Sequence, residues 1–156
     1  MSRIKIGQKV VGSIVDILNR EFLARTKTGQ PLAGWQRSAW PRSVPFLKEK
    51  GNSQNQAVVW FPYVTDNSKA EDVAGWLNVV NRDRSVITTT YNNNDATFED
   101  ICQKVVEFIG KIHIIFGRSK TQKEIEFYGV YSSERDGDSF VYRRIAEEIN
   151  TQDWQR

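Results

Sequence analysis

The sequence is short of the residues that most enzyme chemistry needs. It has one cysteine, Cys102, and one histidine, His113, in 156 residues. A single cysteine excludes an internal disulfide. One cysteine and one histidine exclude a Cys/His zinc site and leave His113 as the sole imidazole for a Ser-His or Cys-His pair. No apolar run approaches the ~18 residues of a membrane span. The N-terminal stretch Met1–Ile6 lacks the apolar core and cleavage site of an export signal. The expectation is a cytoplasmic chain that does not engage a membrane. Phosphate-binding, dinucleotide-binding and nucleophile-elbow patterns built on spaced glycines are absent as well.

The few chemically active residues have structural explanations. His113 stands between Ile112 and Ile114 in a strand-like run. Cys102 falls on the apolar stripe of a helical pattern, where a thiol is a small hydrophobe. Asp66, Glu71, Asp72 and Asp83 are the candidates for a magnesium site, yet Glu71, Asp72, Glu99 and Asp100 sit where a helix start favours acids. Glu124 and Glu126 follow Lys123 instead of preceding a lysine, so the common nuclease arrangement fails. The chain is expected to bind something rather than catalyse a reaction, with no catalytic residue, metal or cofactor.

What the sequence has is aromatic rings and an uneven charge. Five Trp, five Tyr and eight Phe make 12% of the chain. Residues 1–60 carry ten Lys/Arg against three Asp/Glu, residues 61–100 three against seven, and the remainder nine against nine. A basic first half attracts polyanions if its charges share a face, and is an ordinary solvated surface if they do not.

Hydrophobic periodicity predicts helices over 8–20, from about residue 69, and over 98–109. The last is capped by Thr97 and stopped by Gly110. Strands are predicted at 22–27, 57–64, 76–80, 85–91, 111–118, 125–132 and 140–144 by β-branched and aromatic content. Polar turns at 119–124 and 133–139 join the later strands as a meander. Residues 30–46 hold Pro31, Pro41 and Pro45 and read as an irregular basic loop. Residues 145–150 read as a short terminal helix. The sum is one domain over 1–156 of α+β class. Residues 1–50 form a helix and a basic Trp/Pro-rich loop; residues 57–150 form a curved, mostly antiparallel sheet or small β-barrel, with about three helices in all.

Several constellations suit a planar, anionic ligand. Trp35 with Arg37, and Trp40 with Arg42, offer a stacking ring beside a phosphate-binding guanidinium. The same indoles would equally pin the loop to the core. Trp76 and Asn78, two apart on a strand, pair a ring with an amide that reads a base edge, and serve as readily as core and turn cap. Trp60 ends a strand in the aromatic cluster Trp60-Phe61-Pro62-Tyr63. Arg25, Arg118 and Lys120 complete the candidate phosphate contacts.

The last part of the chain resembles a known pattern. Residues 108–118, Glu126–Tyr131 and 141–146, with Gly75–Asn78 and Val86–Ile87 ahead of them, are similar to the small PUA-like β-barrel domains that accompany HNH-type and modification-dependent restriction nucleases. The first 50 residues depart from that pattern. The resemblance implies a concave aromatic pocket for a flipped, modified base, with Trp60, Trp76, Asn78 and Tyr91 as its candidates, DNA more than RNA as partner, and either a nuclease on a separate chain or a domain that works alone. Two other classes fit the same residues: a nucleotide-signal sponge or regulator with a closed pocket, and an interaction or inhibitor protein of phage or plasmid defence working through its tryptophans.

Overall fold

The computed structural model describes residues 3–9, 42–45, 56–67, 69, 75–91, 99–100, 103, 108–119, 121–122 and 124–150. Among these residues β-structure dominates. Nine strands occur: β1 (Arg3–Lys5), β2 (Arg42–Pro45), β3 (Gln56–Trp60), β4 (Trp76–Val80), β5 (Val86–Tyr91), β6 (His113–Gly117), β7 (Glu126–Asp136), β8 (Ser139–Ala146) and β9 (Glu148–Asn150). Seven form one sheet in the order β2-β3-β6-β7-β8-β5-β4, and β1 pairs with β9 separately. Every neighbouring pair is antiparallel except β3 with β6, which is parallel.

The sheet curls. β3 ends at Trp60, just before Pro62, which has no N–H to give a ladder. The chain beyond it then reaches both flanks of the curl. Tyr63 bridges Arg118 at the end of β6, and Thr65 bridges Val79 of the edge strand β4. The end of β6 and the edge strand β4, four strands apart in the sheet, are thus drawn together through one short segment. Inside the curl lie Val58, Trp60, Val64, Val80, Ile87, Phe108, Ile115, Tyr128, Tyr131, Phe140 and Tyr142. Strand β6, His-Ile-Ile-Phe-Gly, is buried on both faces. Its outer face carries Phe116, stacked on Phe61 at 5.2 Å and packed on Phe127 at 5.1 Å between centroids.

Two irregularities shape the long strand β7 and its neighbour. Ile115 pairs with Gly129 but Phe116 with Phe127, which leaves Tyr128 as the extra residue of a β-bulge. Gly129 takes φ +134°, and a Cβ there would sit 2.6 Å from Arg144 Cδ and 2.9 Å from the Ala146 carbonyl. Across from it, Val130 pairs with Ala146 and Tyr131 with Arg144. Ile145 is bulged out, and it is 57% exposed.

Several expectations change. The stretch 145–150 is strand, not helix: β8 runs to Ala146, and β9 pairs with β1, which no local pattern announced. Pairing Ile4 with Ile149 buries both side chains, a long-range gain that a six-residue helix cannot match. The proline-rich stretch 30–46 contains a strand at Arg42–Pro45. It is an edge strand with Pro45 last, a position where sheets tolerate proline. The expected turn over 133–139 shrinks to Gly137 and Asp138, because Asp136 pairs directly with Ser139. Helical backbone is described at Glu99, Asp100 and Gln103, and Gly110 follows at φ +93°, as a helix stop requires. The expected helices over 8–20 and from residue 69, and the strand over 22–27, lie almost wholly outside the described residues.

Candidate nucleic-acid interface

Three segments converge where the curl is drawn together. The first is Val64–Asp66. Val64 N–H donates to the Arg118 carbonyl at 2.9 Å, and Thr65 N–H to the Asn78 carbonyl at 2.9 Å; Val80 N–H returns to the Thr65 carbonyl at 2.8 Å. The second is the turn from β4 to β5, residues 81–85. Asn81 Oδ1 accepts from Val86 N–H at 3.0 Å, and Asp83 accepts from both the backbone and the hydroxyl of Ser85. Those bonds hold the Asp83 carboxyl below the usual carboxylate range. The third is the loop after β6, where Gln122 N–H closes on the Ser119 carbonyl at 3.2 Å.

Between them lies a cavity of about 580 Å³, lined by Val64, Thr65, Asp66, Val80, Asn81, Arg82, Arg84, Ser119, Gln122 and Tyr128. That is within the range of small-ligand sites. Val64, Val80 and the Tyr128 ring supply apolar wall; Asp66 accepts hydrogen bonds; Gln122 and Thr65 both donate and accept; Arg82 and Arg84 bring positive charge. Tyr128 is the extra residue of the bulge and faces inward, opposite Phe127 on the outer face. Burial pushes its phenol up, opposed by the nearby Arg84 guanidinium. Arg84 lies 4.4 Å above the Tyr128 ring and is ion-paired to Glu126.

The sequence candidates divide around this cavity. Arg118 stands beside it, next to Ser119. Its guanidinium lies 4.8 Å over the Tyr63 ring and donates to the Tyr63 hydroxyl at 2.6 Å. Asn78 is buried behind the wall. Its Nδ2 donates to the Tyr63 carbonyl at 2.8 Å, and its Oδ1 accepts from the Thr89 hydroxyl at 2.7 Å. The amide is committed to holding the 63–65 segment. Trp60 is 5% exposed and packs on Tyr142 at 4.9 Å, inside the core. Trp76 and Tyr91 pair edge to face at 4.8 Å, half-buried, at the end of β4 away from the cavity. The structure therefore does not bring Trp60, Trp76 and Tyr91 together around this space. Arg42 is described only as backbone of β2; Arg25, Trp35, Arg37, Trp40 and Lys120 lie outside the described residues.

Sequence reasoning missed Thr65, Arg82, Arg84, Gln122 and Tyr128, and read Asp66 only as a possible metal ligand. One signal was available: a glycine inside a strand pattern, as in Phe127-Tyr128-Gly129, marks a bulge. The others come together only through the parallel bridges of residues 63 and 65.

The chain also has a family. The profile of the SRA domain, the SET and RING associated domain, matches residues 10–151. The chain belongs to the SRA family. SRA domains are PUA-like and bind DNA that carries modified cytosine, so the PUA-like resemblance holds. The match also takes in most of the first 50 residues, which had looked foreign to the pattern. No curated protein sequence matches the chain. Among solved structures, the 5-hydroxymethylcytosine-specific restriction enzyme AbaSI superposes with a TM-score of 0.47 at 16% identity, over 69% of this chain and 36% of that one. This SRA chain thus spans about a third of that enzyme's length. Among its described residues no helix is long and apolar enough to cross a membrane.

Proposed function

We propose that this SRA domain reads a modified cytosine in DNA by taking the base out of the duplex into the cavity between Val64–Asp66, the β4–β5 turn and the Ser119–Gln122 loop. The observation that carries the reading is the cavity itself. It is a concave space of about 580 Å³ with one aromatic face, a carboxylate and an amide. A base inside a duplex cannot present its whole edge, so a reader of its modification extrudes it and meets it with stacking and hydrogen bonds. Tyr128 supplies the stacking face. Asp66 accepts from the exocyclic amine of cytosine, a pairing the donor pattern of that base favours. Val64 and Val80 offer apolar surface to a substituent on the ring.

Arg118 and Arg82 meet the flanking phosphates. Arg118 is braced against Tyr63. Neither arginine makes an ion pair with a carboxylate among the described residues. Trp35, Arg37, Trp40 and Arg42 of the basic stretch 30–46, with Arg25 and Lys120, are the further candidates for contact with the duplex.

The test is binding to one duplex sequence carrying cytosine, 5-methylcytosine or 5-hydroxymethylcytosine, followed by tryptophan fluorescence at two salt concentrations. The reading predicts saturable binding that weakens with salt and is at least ~10-fold tighter for one modified base, the scale of a single specific contact. Equal affinity for all three duplexes contradicts it.

A further inference from the structure

Arg84 occupies the position a base needs. Its guanidinium, a planar cation, lies 4.4 Å over the centre of the Tyr128 ring. Tyr128 cannot retreat to make room, because β6 presses on it: a Cβ on Gly117 would come within 2.8 Å of Tyr128 Cε2. Tyr128 is 3% exposed, and a planar ligand that stacks on the face Arg84 covers therefore has to displace that guanidinium.

The arginine is held at both ends. Its backbone is fixed in the left-handed region at φ 60°. Its N–H donates to the Asn81 carbonyl at 3.0 Å, and its carbonyl accepts from the Tyr131 hydroxyl at 2.6 Å. At the other end the guanidinium is ion-paired to Glu126, which also accepts from Gln122 Nε2 at 3.5 Å. The side chain is 39% exposed while that of Glu126 is 14% exposed, so the head has room to swing away from a fixed anchor. A left-handed backbone is uncommon for a residue with a long side chain, and such positions cluster at switch and ligand sites.

We infer that Arg84 is a specificity-determining residue of the cavity, a self-stacked plug whose displacement sets the threshold for base insertion. The inference rests on the reading that the cavity receives the base. An unmodified cytosine and a modified one must both dislodge the guanidinium from Tyr128 and Glu126. Only the modified base brings extra contacts to offset that loss, so the plug keeps ordinary cytosines in the stack. Arg84 does this by competing for the stacking face, not by touching the modification.

The experiment uses duplexes with 2-aminopurine next to the target cytosine, which brightens when its neighbour leaves the stack. The wild-type chain brightens the modified duplex and not the unmodified one. Arg84→Gly, which suits the left-handed backbone and removes the plug, brightens the unmodified duplex several-fold as well. Glu126→Gln keeps the arginine but frees its head, and gives an intermediate signal. Thermal melts establish that each variant is folded. Overturning the inference takes an Arg84→Gly protein that leaves the unmodified duplex dark, or that loses the modified signal, which would make Arg84 a support for the base instead of its competitor. Ser119→Trp, which fills the cavity, separates this from the reading beneath it. Brightening that survives Ser119→Trp shows that the base goes elsewhere and both ideas fail. Brightening abolished by Ser119→Trp, with no gain in Arg84→Gly, removes the plug alone.

Discussion

His113 is a buried imidazole. Nδ1 lies 3.0 Å from the Lys111 carbonyl, so it carries the proton, and Nε2 faces the core without a partner among the described residues. Trp60 and Tyr142 pack edge-on around the ring. Burial lowers its pKa to about 4, opposed by the Lys111 carbonyl. The unfolded chain holds the proton below about 6.5 and the folded chain only below about 4, so the contribution is fully present above pH 6.5 and fades as pH falls towards 4. Charging the buried ring costs on the order of 3 kcal/mol of stability. Chemical denaturation across pH 4–7 should show His113→Phe losing less stability on acidification than the wild type. Equal slopes would contradict this. Asn78 gives a second residue-scale prediction. Asn78→Ala strands the Tyr63 carbonyl and the Thr89 hydroxyl, and should cost about 2–3 kcal/mol in denaturation, since buried polar groups lose full value when left unpaired. It should also weaken modified-DNA binding, because residues 63–65 form a cavity wall. The sequence showed an amide beside an indole. It did not show which way the amide turns, which depends on a carbonyl fifteen residues earlier in the chain.

At the level of elements, the β7 bulge supports the site. A regular strand places Tyr128 opposite Phe127 and would put Tyr131, three positions on, on the face away from Tyr128. The extra residue shifts that phase, so Tyr131 faces the same core as Tyr128 and its hydroxyl reaches the Arg84 carbonyl. Gly117→Ala tests the packing behind it: the added Cβ meets the Tyr128 ring at 2.8 Å and should drive the ring into the cavity. We expect a loss of about 1–3 kcal/mol in thermal melts, the usual scale of overpacking, with a larger proportional loss of modified-base binding. Binding unchanged beside lowered stability would remove Tyr128 from the site. The strands β4 to β8 were legible because alternation and β-branched content are local signals. The hairpin of β4 and β5 was placed within a residue at each end. The pair β1 and β9 was not legible, since three-residue strands at opposite ends of a chain carry no periodicity of their own. The parallel contact of β3 with β6 joins residues more than fifty positions apart, and the cavity depends on it.

For the molecule as a whole, the family is one whose domains bind DNA. The SRA profile spans residues 10–151, and residues 1–60 carry ten Lys/Arg against three Asp/Glu. DNA affinity should fall linearly in log–log form with salt, with a slope near −0.9 for each phosphate neutralised. Arg118→Ala should reduce that slope by about one while leaving the preference among bases intact, because phosphate contacts carry no base information. Titrations at three or more salt concentrations would show it. A changed preference would place Arg118 against the base instead.

The most direct test is a competition between modified and unmodified duplexes for the wild-type chain and for Ser119→Trp. If the cavity takes the modified base, the wild type prefers the modified duplex, and the filled variant binds both duplexes with the wild type's weaker affinity. If Ser119→Trp keeps the full preference while remaining folded, the base is read somewhere else on the domain.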